Sequence, residues 1–490
     1  MYSLTRYVTK ARVWGANLLP LRNFCVSSKG IDRESDVKWL FPAGSIIEKM
    51  NAAAKHSQLN LIVSLTLDSA VPLTVHHFSQ TLVHLQRKVP SLRTLFRQKD
   101  QRLWVCETTE PDINFKVINN ADVDTEIDRL IIRPFDKPDV EPPWLARLLL
   151  PSEGFSEPQL KEYLHRYNFL FSFHHGAVDG VSGLLIITSF LKLLEDVVTG
   201  SYINEELYGG LVSDEQTTRL EREMLEKLES NPEKFQRMIE ETARMTSTPL
   251  INQAFGTPPK EEFPTRILRT VFERRRLQTL DERCRSLEIT LNSGLTSVVN
   301  TALAELVAEA GLEGDSFSVT NRHAVNLRRY RKGDSFAVLG NHVGVISHAV
   351  TTPRHNRETF WEYAKQLDTE FRQKLKEGDV IQEKVIKSKL LPKDYSHEAF
   401  YSSAPPAVCD YIMTNVVVPQ KYVTGKIIRL ADYRNLCNIS HCDYSMKHML
   451  SSISAHEVTY TLMYATGRLN HNTAQAFLDK IIDVLSHMSR

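Results

Sequence analysis

One short segment constrains the fold of this chain more than any other, because it joins an apolar run to an apolar helix through a polar turn. Residues 167–173 read YNFLFSF, a run short enough for a buried strand. Residues 174–180 follow as HHGAVDG. Residues 180–197 read GVSGLLIITSFLKLLEDV, which predicts a helix with a broad apolar face and a cap near Ser182. The segment therefore predicts a strand–turn–helix unit that holds two imidazoles and a carboxylate on rigid backbone.

The turn contains the groups that an acid–base site needs. Imidazole has an ordinary pKa of about 6.5, close to the value that suits a general base at neutral pH. Asp179 can orient such a ring, or it can lock the turn by pairing with an arginine in the core. Gly176 and Gly180 permit a sharp turn. Sequential residues on a strand point to opposite faces, so His174 and His175 do not easily share a metal ion, but a metal site that uses both histidines and Asp179 stays open as an alternative.

The rest of the chain indicates two α/β halves. At about 100–200 residues per domain, 490 residues correspond to two or three domains. Strand-like and helical segments recur in residues 40–200 and again in residues 264–490. Residues 201–263 are charge-rich and then proline-rich, which is typical of a solvated helix and a loop between domains. The predicted strands cover residues 60–68, 102–107, 113–118, 167–173, 265–273, 316–321, 343–350, 407–418 and 457–467, and the predicted helices cover residues 72–90, 180–197, 290–311 and 472–488.

Charge and hydropathy argue against several classes of protein. The formal net charge of +1 is unlike that of a dedicated nucleic-acid binder. No apolar run reaches the roughly 18 residues of a transmembrane helix, and no uninterrupted apolar segment near the start marks a secretory signal. The six cysteines are too scattered for a disulfide framework, which favours a reducing compartment.

Two further segments leave alternatives open. Residues 1–35 form a basic tail whose first 30 residues contain no acid. This composition fits a mitochondrial transit peptide, or a disordered tail on a cytoplasmic protein. Cys437, His441 and Cys442 lie close together and suggest a metal site, but no second ligand pair stands at a standard zinc spacing, so ordinary packed or exposed residues are the simpler interpretation.

The turn sequence HHGAVDG matches the pattern HHxxxDG, and through it the chain resembles the chloramphenicol-acetyltransferase-like superfamily. That group includes peptide-synthetase condensation domains, wax-ester synthases, alcohol acetyltransferases and polyketide-associated acyltransferases. Within this group the sequence most resembles the stand-alone alcohol acetyltransferases and polyketide-associated acyltransferases. The DFGWG stretch of plant acyltransferases is absent from it. Further segments that fall in the family's order are VPSLRTLF (89–96), RPFDKPDVEPPWLARLLL (133–150), VTNRHAVNLRRY (319–330), LGNHVGVI (339–346) and MTNVVV (413–418).

The resemblance implies two similar α/β domains, each a mixed β-sheet with flanking helices, and an active-site tunnel between them. It implies an acyltransferase that moves an acyl group from acyl-coenzyme A or an acyl-carrier thioester to a small alcohol or amine, with no tightly bound cofactor and no metal. By this likeness, His175 takes the acceptor's proton, and His174 and Gly180 complete the motif. No acyl-enzyme is expected, in agreement with the absence of a GxSxG elbow. One chain is enough to form the tunnel, so a monomer is possible on this reading.

The same resemblance gives Asp179 a structural role. In the family the aspartate usually points away from the substrate and forms an ion pair in the core with an arginine. Arg328 is the expected partner, with Arg322 and Arg329 as the next candidates. A carboxylate beside a guanidinium stays ionised and holds two chain segments in register.

Other polar residues of the family's segments are candidates for contact with the substrates. Asn341, Thr414 and Asn415 are candidate donors to the oxyanion, and each can equally satisfy a strand end. The basic clusters at 328–332 and 269–276 can meet the phosphates of coenzyme A, or form solvated faces. Two competing functions also stay open: a non-catalytic member that binds an acyl chain or carrier protein, and a metal-dependent hydrolase.

Overall fold

Strands and helices alternate along the computed structural model, which describes residues 36–109, 112–150, 162–244, 248–259, 264–331, 338–415, 425–452 and 457–489. The predicted basic tail, residues 1–35, lies outside the described residues. The strands are β1 (Val37–Pro42), β2 (Leu61–Ser69), β3 (Thr94–Lys99), β4 (Arg102–Thr108), β5 (Phe115–Asn119), β6 (Trp144–Leu150), β7 (His165–Phe173), β8 (Gly210–Leu211), β9 (Thr265–Glu273), β10 (Ser316–Asn326), β11 (Val338–Leu339), β12 (Val343–Pro353), β13 (Tyr411–Met413), β14 (Ile428–Cys437), β15 (Met446–Ser452) and β16 (Glu457–Ala465). The helices are α1 (Ser45–Lys55), α2 (Val75–Lys88), α3 (Val123–Ile131), α4 (Gly180–Thr199), α5 (Glu215–Glu229), α6 (Pro232–Arg244), α7 (Leu250–Phe255), α8 (Arg274–Ser286), α9 (Leu291–Glu309), α10 (Phe360–Glu377), α11 (Asp379–Leu390), α12 (His397–Ser403) and α13 (His471–Met488).

The first lobe is a five-stranded sheet in the order β14-β2-β7-β6-β5, with helices α2, α3 and α4 packed on it. Its centre is aromatic. Phe169 of β7 stacks on Phe78 of α2 at 5.4 Å between ring centroids and on Phe190 of α4 at 4.8 Å. Burial of each such ring contributes about 1.5–3 kcal/mol. Both helices are thereby fixed against β7, whose carboxyl end carries the histidine turn.

The second lobe is a six-stranded sheet in the order β12-β10-β13-β15-β16-β9, with helices α8, α9, α10 and α13. Helix α9 is buried along most of its length, from Ser293 to Val307, because it lies between α10 and α13. Two small sheets, β1-β4-β3 and β8-β11, complete the strand pairing of the described residues. Each lobe is thus a mixed sheet with flanking helices, and the predicted fold class is confirmed.

One strand crosses between the halves of the sequence. Strand β14 pairs antiparallel with β2 along its length, from Ile428 opposite Ser69 to Cys437 opposite Leu61. The segment 264–490 therefore does not lie wholly on one sheet, because residues 428–437 complete the sheet of the first lobe.

The crossover 201–263 contains more packed structure than its composition indicates. Its helices α5 and α6 lie against α11 of the second half, where Leu228 packs on Val385 and Ile386. Helix α7 packs on α9, with Leu250 and Ile251 buried in the core of the second lobe.

Most predicted elements are present, but one predicted strand is shorter than expected and several elements were not predicted. The predicted strand at 407–418 is a strand only over β13, and residues 416–418 lie outside the described residues. The elements that were not predicted are strands β1, β3, β6, β8, β11, β14 and β15 and helices α1, α3, α7, α8, α10, α11 and α12. The hydropathy prediction agrees with the structure in that none of the described helices is both long and apolar enough to span a bilayer.

Candidate active site

The histidine turn joins the end of β7 to the start of α4. The helix is capped by Asp179, whose Oδ1 accepts a hydrogen bond of 2.9 Å from the backbone N–H of Ser182. The predicted cap near Ser182 is therefore wrong by three residues: a carboxylate outcompetes the hydroxyl for the N–H groups of the first turn. The Ser182 hydroxyl instead donates 2.9 Å to the carbonyl oxygen of Gly340, in the loop that leads to β12.

His174 is fully buried on one side of the turn. Its ring packs against Phe96 at 4.8 Å and Phe135 at 5.8 Å between centroids, and its Nδ1 accepts 2.9 Å from the N–H of Gly176. A Cβ on Gly176 would lie 2.9 Å from the His174 ring, so only glycine allows this approach. Burial lowers the pKa of His174 to about 3, so the ring stays neutral and forms part of the turn.

His175 is half-buried on the opposite side. Its Nδ1 lies 2.9 Å from the carbonyl oxygen of Val178. A carbonyl oxygen only accepts, so Nδ1 carries the proton and Nε2 has a free lone pair. Burial, and next the positive charge of Lys447, lower the pKa of His175 against the opposing effect of Asp179. The ring is therefore neutral at pH 7, with its basic nitrogen turned away from the backbone of its own loop.

Asp179 and Arg328 form a buried bidentate ion pair. The distances are 2.6 Å from Nη1 to Oδ2 and 3.2 Å from Nη2 to Oδ1. The Arg328 side chain is 1% exposed and the Asp179 side chain is 0% exposed. The carboxylate also accepts from the N–H of His342 at 3.0 Å, while the guanidinium donates to the carbonyl oxygens of Val338 and Gly340. Burial alone would raise the pKa of Asp179, but the pairing with Arg328 outweighs it and the pKa is lowered.

The other two arginines considered for this pairing lie elsewhere. Arg322 forms an ion pair with Asp443 at 2.5 and 3.0 Å, and Arg329 is exposed. Because Arg328 follows β10 of the second lobe and Asp179 caps α4 of the first, the ion pair joins the two lobes beside the turn.

Asn341 contacts His175 directly. Its amide nitrogen donates 2.8 Å to the His175 carbonyl oxygen and lies 3.1 Å from Nδ1, and its amide oxygen accepts from the N–H of Val343. Because Nδ1 carries the ring proton, Asn341 fixes His175 through its backbone carbonyl, and its role as an oxyanion candidate stays a prediction.

The two other oxyanion candidates differ from each other. Asn415 is exposed and satisfies a strand end, since it donates to Asn292 at 3.1 Å and accepts from the N–H of Leu450 at 3.3 Å. Thr414 is half-buried, and its hydroxyl has no partner within the part of the chain that the structure describes. Thr414 therefore retains a buried donor that no described residue uses.

A lysine that the sequence analysis did not single out faces the same interface. On β15, Met446 and Leu450 pack in the core of the second lobe, whereas Met449 belongs to the core of the first. Side chains alternate along a strand, so Lys447 points with Met449 toward the first lobe. It is 7% exposed, and its Nζ lies 3.1 Å from the Sγ of Cys437.

The cysteines near this lysine do not form a metal site in the structure. His441 Nδ1 is hydrogen-bonded to the carbonyl oxygen of Tyr401, and burial raises the pKa of the Cys442 thiol to about 12. Across the described residues, no group of three or more histidine, cysteine or acidic side chains is arranged to hold a metal ion. The same holds for His174 and His175, which lie on opposite sides of the turn.

The basic clusters proposed for phosphate binding are partly occupied by ion pairs. Arg328 is paired with Asp179, and Arg269 donates 2.5 Å to Asp432. Arg275 and Arg329 are exposed. The two clusters thus supply separate exposed cations, and a phosphate contact at either remains a prediction.

Comparison with known proteins gives the family. The model of the condensation domain matches residues 46–489. A search of curated proteins returned no match. Among solved structures, the chain is similar to the condensation domain of the Monacolin K polyketide synthase MokA, with a TM-score of 0.66, 14% identity, and coverage of 93% of this chain and 98% of that one.

Two further structures share the fold. Trichothecene 15-O-acetyltransferase from Fusarium sporotrichioides is 12% identical with a TM-score of 0.62, over 92% of this chain and 95% of that one. The starter condensation domain of rhizomide synthetase RzmA, solved with C8-CoA and Leu-SNAC, is 12% identical with a TM-score of 0.59, over 92% and 94%. The histidine turn thus lies in a fold shared with these proteins, and the chain belongs to the condensation-domain family.

Proposed function

We propose that this protein transfers an acyl group from a thioester to a small alcohol or amine, with His175 as the general base. The observation that carries the proposal is the hydrogen bond from Nδ1 of His175 to the carbonyl oxygen of Val178. It places the only ring proton on Nδ1, so the lone pair of Nε2 is available to an acceptor. The lowered pKa keeps that lone pair unprotonated at neutral pH.

The reaction balances without a covalent enzyme intermediate. The acceptor gives its O–H or N–H proton to Nε2 of His175 while its oxygen or nitrogen attacks the thioester carbonyl carbon. The carbonyl electron pair moves to oxygen and forms a tetrahedral oxyanion. When the carbonyl reforms, the C–S bond breaks, and the leaving thiolate takes the proton from Nε2.

The residues around His175 fit positioning roles in this scheme. Asn341 holds the backbone of His175 through the 2.8 Å hydrogen bond to its carbonyl oxygen. The Asp179–Arg328 pair holds the turn of the first lobe against the loop that precedes β12. Because both lobes come from one chain, a monomer supplies every residue named here.

The comparisons support acyl transfer in general terms, and the donor is our proposal. One structure of the same fold is named as an O-acetyltransferase, and another was solved with C8-CoA. Acyl-coenzyme A is therefore the first donor to test, followed by an acyl group on a carrier protein, since condensation domains are also among the similar structures. No tightly bound cofactor enters the scheme.

The test is release of free thiol from acetyl-, octanoyl- and palmitoyl-coenzyme A in the presence of pooled alcohols and amines. The wild type is compared with His175→Ala and with His76→Ala, a matched control at an exposed histidine of α2. We expect acceptor-dependent release by the wild type and the control and none by His175→Ala. Equal release by all three proteins would remove His175 from the mechanism.

The two competing functions give different results in the same assay. A metal-dependent hydrolase would release thiol without an acceptor and would lose activity to a chelator. A non-catalytic binder would release none from coenzyme A or carrier-protein donors, yet would retain the acyl group in equilibrium binding. Loss of activity to a chelator would contradict our proposal, since the described turn places its two imidazoles on opposite sides.

A further inference from the structure

Lys447 is a buried cation that has few polar partners. Across the second sheet it lies in register between Ile412 on β13 and Met463 on β16, and both of these pack into the core of the first lobe. Its single hydrogen bond to a described residue goes to the Sγ of Cys437, 3.1 Å away. An ammonium has three N–H donors, and a thiol is a weak acceptor.

A buried charge of this kind normally has strong partners, because desolvation without compensation is costly. The chain provides its own comparison in Lys88 on α2, which is 3% exposed. Lys88 donates 2.6 Å to the amide oxygen of Asn204 and 2.9 Å to the carbonyl oxygen of Glu206. Lys447 retains two N–H groups that have no such acceptor among the described residues.

The position of Cys437 locates this ammonium relative to the histidine turn. Cys437, Leu61 and Phe173 lie in register on three neighbouring strands of the first sheet. Strands are about 4.8 Å apart, so about 10 Å separates the backbones of Cys437 and Phe173, the residue that ends β7 just before the turn.

His175 and Lys447 are near each other in space. In-register residues of neighbouring strands share a face, and Lys447 reaches that face at Cys437. His175 lies in the turn that follows β7, where it contacts Asn341 of the loop before β12, and the charge of Lys447 is close enough to lower its pKa. The ring of His175 and the ammonium of Lys447 therefore approach the same space from the two sheets.

On the basis of the proposed acyl transfer, we propose that Lys447 donates a hydrogen bond to the thioester carbonyl oxygen and stabilises the tetrahedral oxyanion. When the nucleophile attacks, the carbonyl electron pair moves to that oxygen, and the ammonium neutralises the charge without giving up its proton. Reformation of the carbonyl expels the thiolate, which is protonated by His175. A fixed cation in a desolvated site is suited to charge that develops only in the transition state.

The charges around His175 agree with this arrangement. The negative charge of Asp179, which is bound to Arg328 and to the N–H of His342, raises the pKa of His175 from one side. His174 is neutral, and the positive charge of Lys447 on the second sheet lowers the pKa of His175. Protonation of His175 beside Lys447 puts two positive charges together, which is unfavourable until an oxyanion forms near them. The lysine thus opposes a protonated resting enzyme and favours the zwitterionic intermediate.

The experiment compares Lys447→Met, which removes the charge, with Lys447→Arg, which retains it, and with the matched control Lys88→Met. We expect kcat to fall by about 100-fold or more in Lys447→Met, the usual effect of losing one oxyanion donor, and to recover in part in Lys447→Arg. KM for the donor should change little. Wild-type kcat in Lys447→Met would overturn the inference and leave the proposed function standing, as would a change confined to KM, which would indicate ground-state binding of a substrate anion.

A second readout does not depend on turnover. The His175 ring is titrated by NMR in the substrate-free protein, with its signal assigned by its absence in His175→Ala. We expect the midpoint to move to higher pH in Lys447→Met, because removal of a nearby cation makes protonation easier, and to stay unchanged in Lys88→Met. An unchanged midpoint in a folded Lys447→Met protein would place the ammonium away from the site, whether or not an activity has been found.

Discussion

Two buried charged sites join the lobes, and they differ in how completely their hydrogen-bonding capacity is used. The Asp179–Arg328 pair is surrounded by donors and acceptors: both carboxylate oxygens and all three guanidinium nitrogens have partners. Among the described residues, Lys447 has one partner of low polarity, the thiol of Cys437. A fully hydrogen-bonded network stabilises the fold, because removal of one group leaves its buried partners without a hydrogen bond. A buried donor that lacks a strong acceptor does not stabilise the fold. Its N–H groups are available to a substrate, so it is the better candidate for substrate contact.

The largest predicted effect is on stability, and it tests the contrast directly. Arg328→Met leaves the buried carboxylate of Asp179 without its counter-ion, and we expect a loss of about 3–5 kcal/mol in the free energy of unfolding. Lys447→Met should cause no loss, because it removes a charge that has no strong partner in the part of the chain that the structure describes. Urea denaturation of both variants measures the difference.

The double variant Asp179→Asn/Arg328→Met is the control for this measurement. It removes both charges, so it should be more stable than Arg328→Met alone. Equal destabilisation by Arg328→Met and Lys447→Met would contradict the distinction between a structural and a functional charge.

The next effect is on rate. Asn341→Ala removes the amide that donates a hydrogen bond to the carbonyl oxygen of His175. We expect kcat to fall by about 10- to 100-fold, since a misplaced base loses alignment with the acceptor. The acid limb of the pH–rate profile should keep its position, because Asn341 carries no charge, whereas Lys447→Met should shift that limb to higher pH. Identical pH profiles for the two variants would show that Lys447, like Asn341, merely positions the base.

Lowering the pH has a smaller effect for each histidine and each pH unit. Burial lowers the pKa of His174 and of His448 to about 3 from an ordinary 6.5. Between pH 6.5 and 4 the unfolded chain protonates these rings and the folded chain does not, so the free energy of unfolding should decrease by about 1.4 kcal/mol per pH unit for each histidine. The lowered pKa of Asp179 keeps the ion pair charged in this window, so acid acts on the histidines first.

His448→Phe provides the measurement for that pH dependence. The ring sits among the side chains of Tyr411, Tyr460 and Phe477, where phenylalanine is of suitable size. Whatever its absolute stability, the variant should bind one proton fewer on unfolding. The slope of its unfolding free energy against pH should therefore be smaller by about 1.4 kcal/mol per pH unit. An unchanged slope would mean that His448 is already protonated in the folded protein or stays neutral in both states.

The smallest effect is expected at Asn415, which is exposed just after the end of β13. Asn415→Ala removes hydrogen bonds at a strand end, and we expect stability to change by about 0.5 kcal/mol or less and kcat to stay the same. It is the matched control for Thr414→Val, which removes a hydroxyl that has no partner among the described residues. A rate loss in Thr414→Val alone would identify a second donor at the oxyanion, beside Lys447.

The sequence predicted the histidine turn well, because strand β7 and helix α4 are continuous apolar segments whose signals do not depend on distant residues. Strand β14 was not predicted, because a register shift between Leu430 and Asp432 breaks its period of two, and its charged residues read as a loop. Those charges pair across the sheet, as Arg429 does with Asp68. Only the folded chain places such partners side by side.

The candidate site shows the same division. Asp179 and Arg328 were matched through a known motif, and the structure brings them together. Lys447 belongs to no motif, and a lone lysine in a short strand resembles an exposed edge residue. Its burial depends on β14, which brings Cys437 to it from the other sheet. A residue whose role depends on a contact between two lobes leaves no local pattern in the sequence.

The crossing strand also has a consequence for synthesis of the protein on the ribosome. Asp68 of β2 and Arg429 of β14 are 361 residues apart, yet they are hydrogen-bonded partners in one sheet. While the chain grows, β2 is an open edge until residues 428–437 have emerged, and an open apolar edge can pair with other chains. The first lobe therefore cannot mature as an independent unit, and nascent chains of this protein should depend on chaperones until residues 428–437 take their place beside β2.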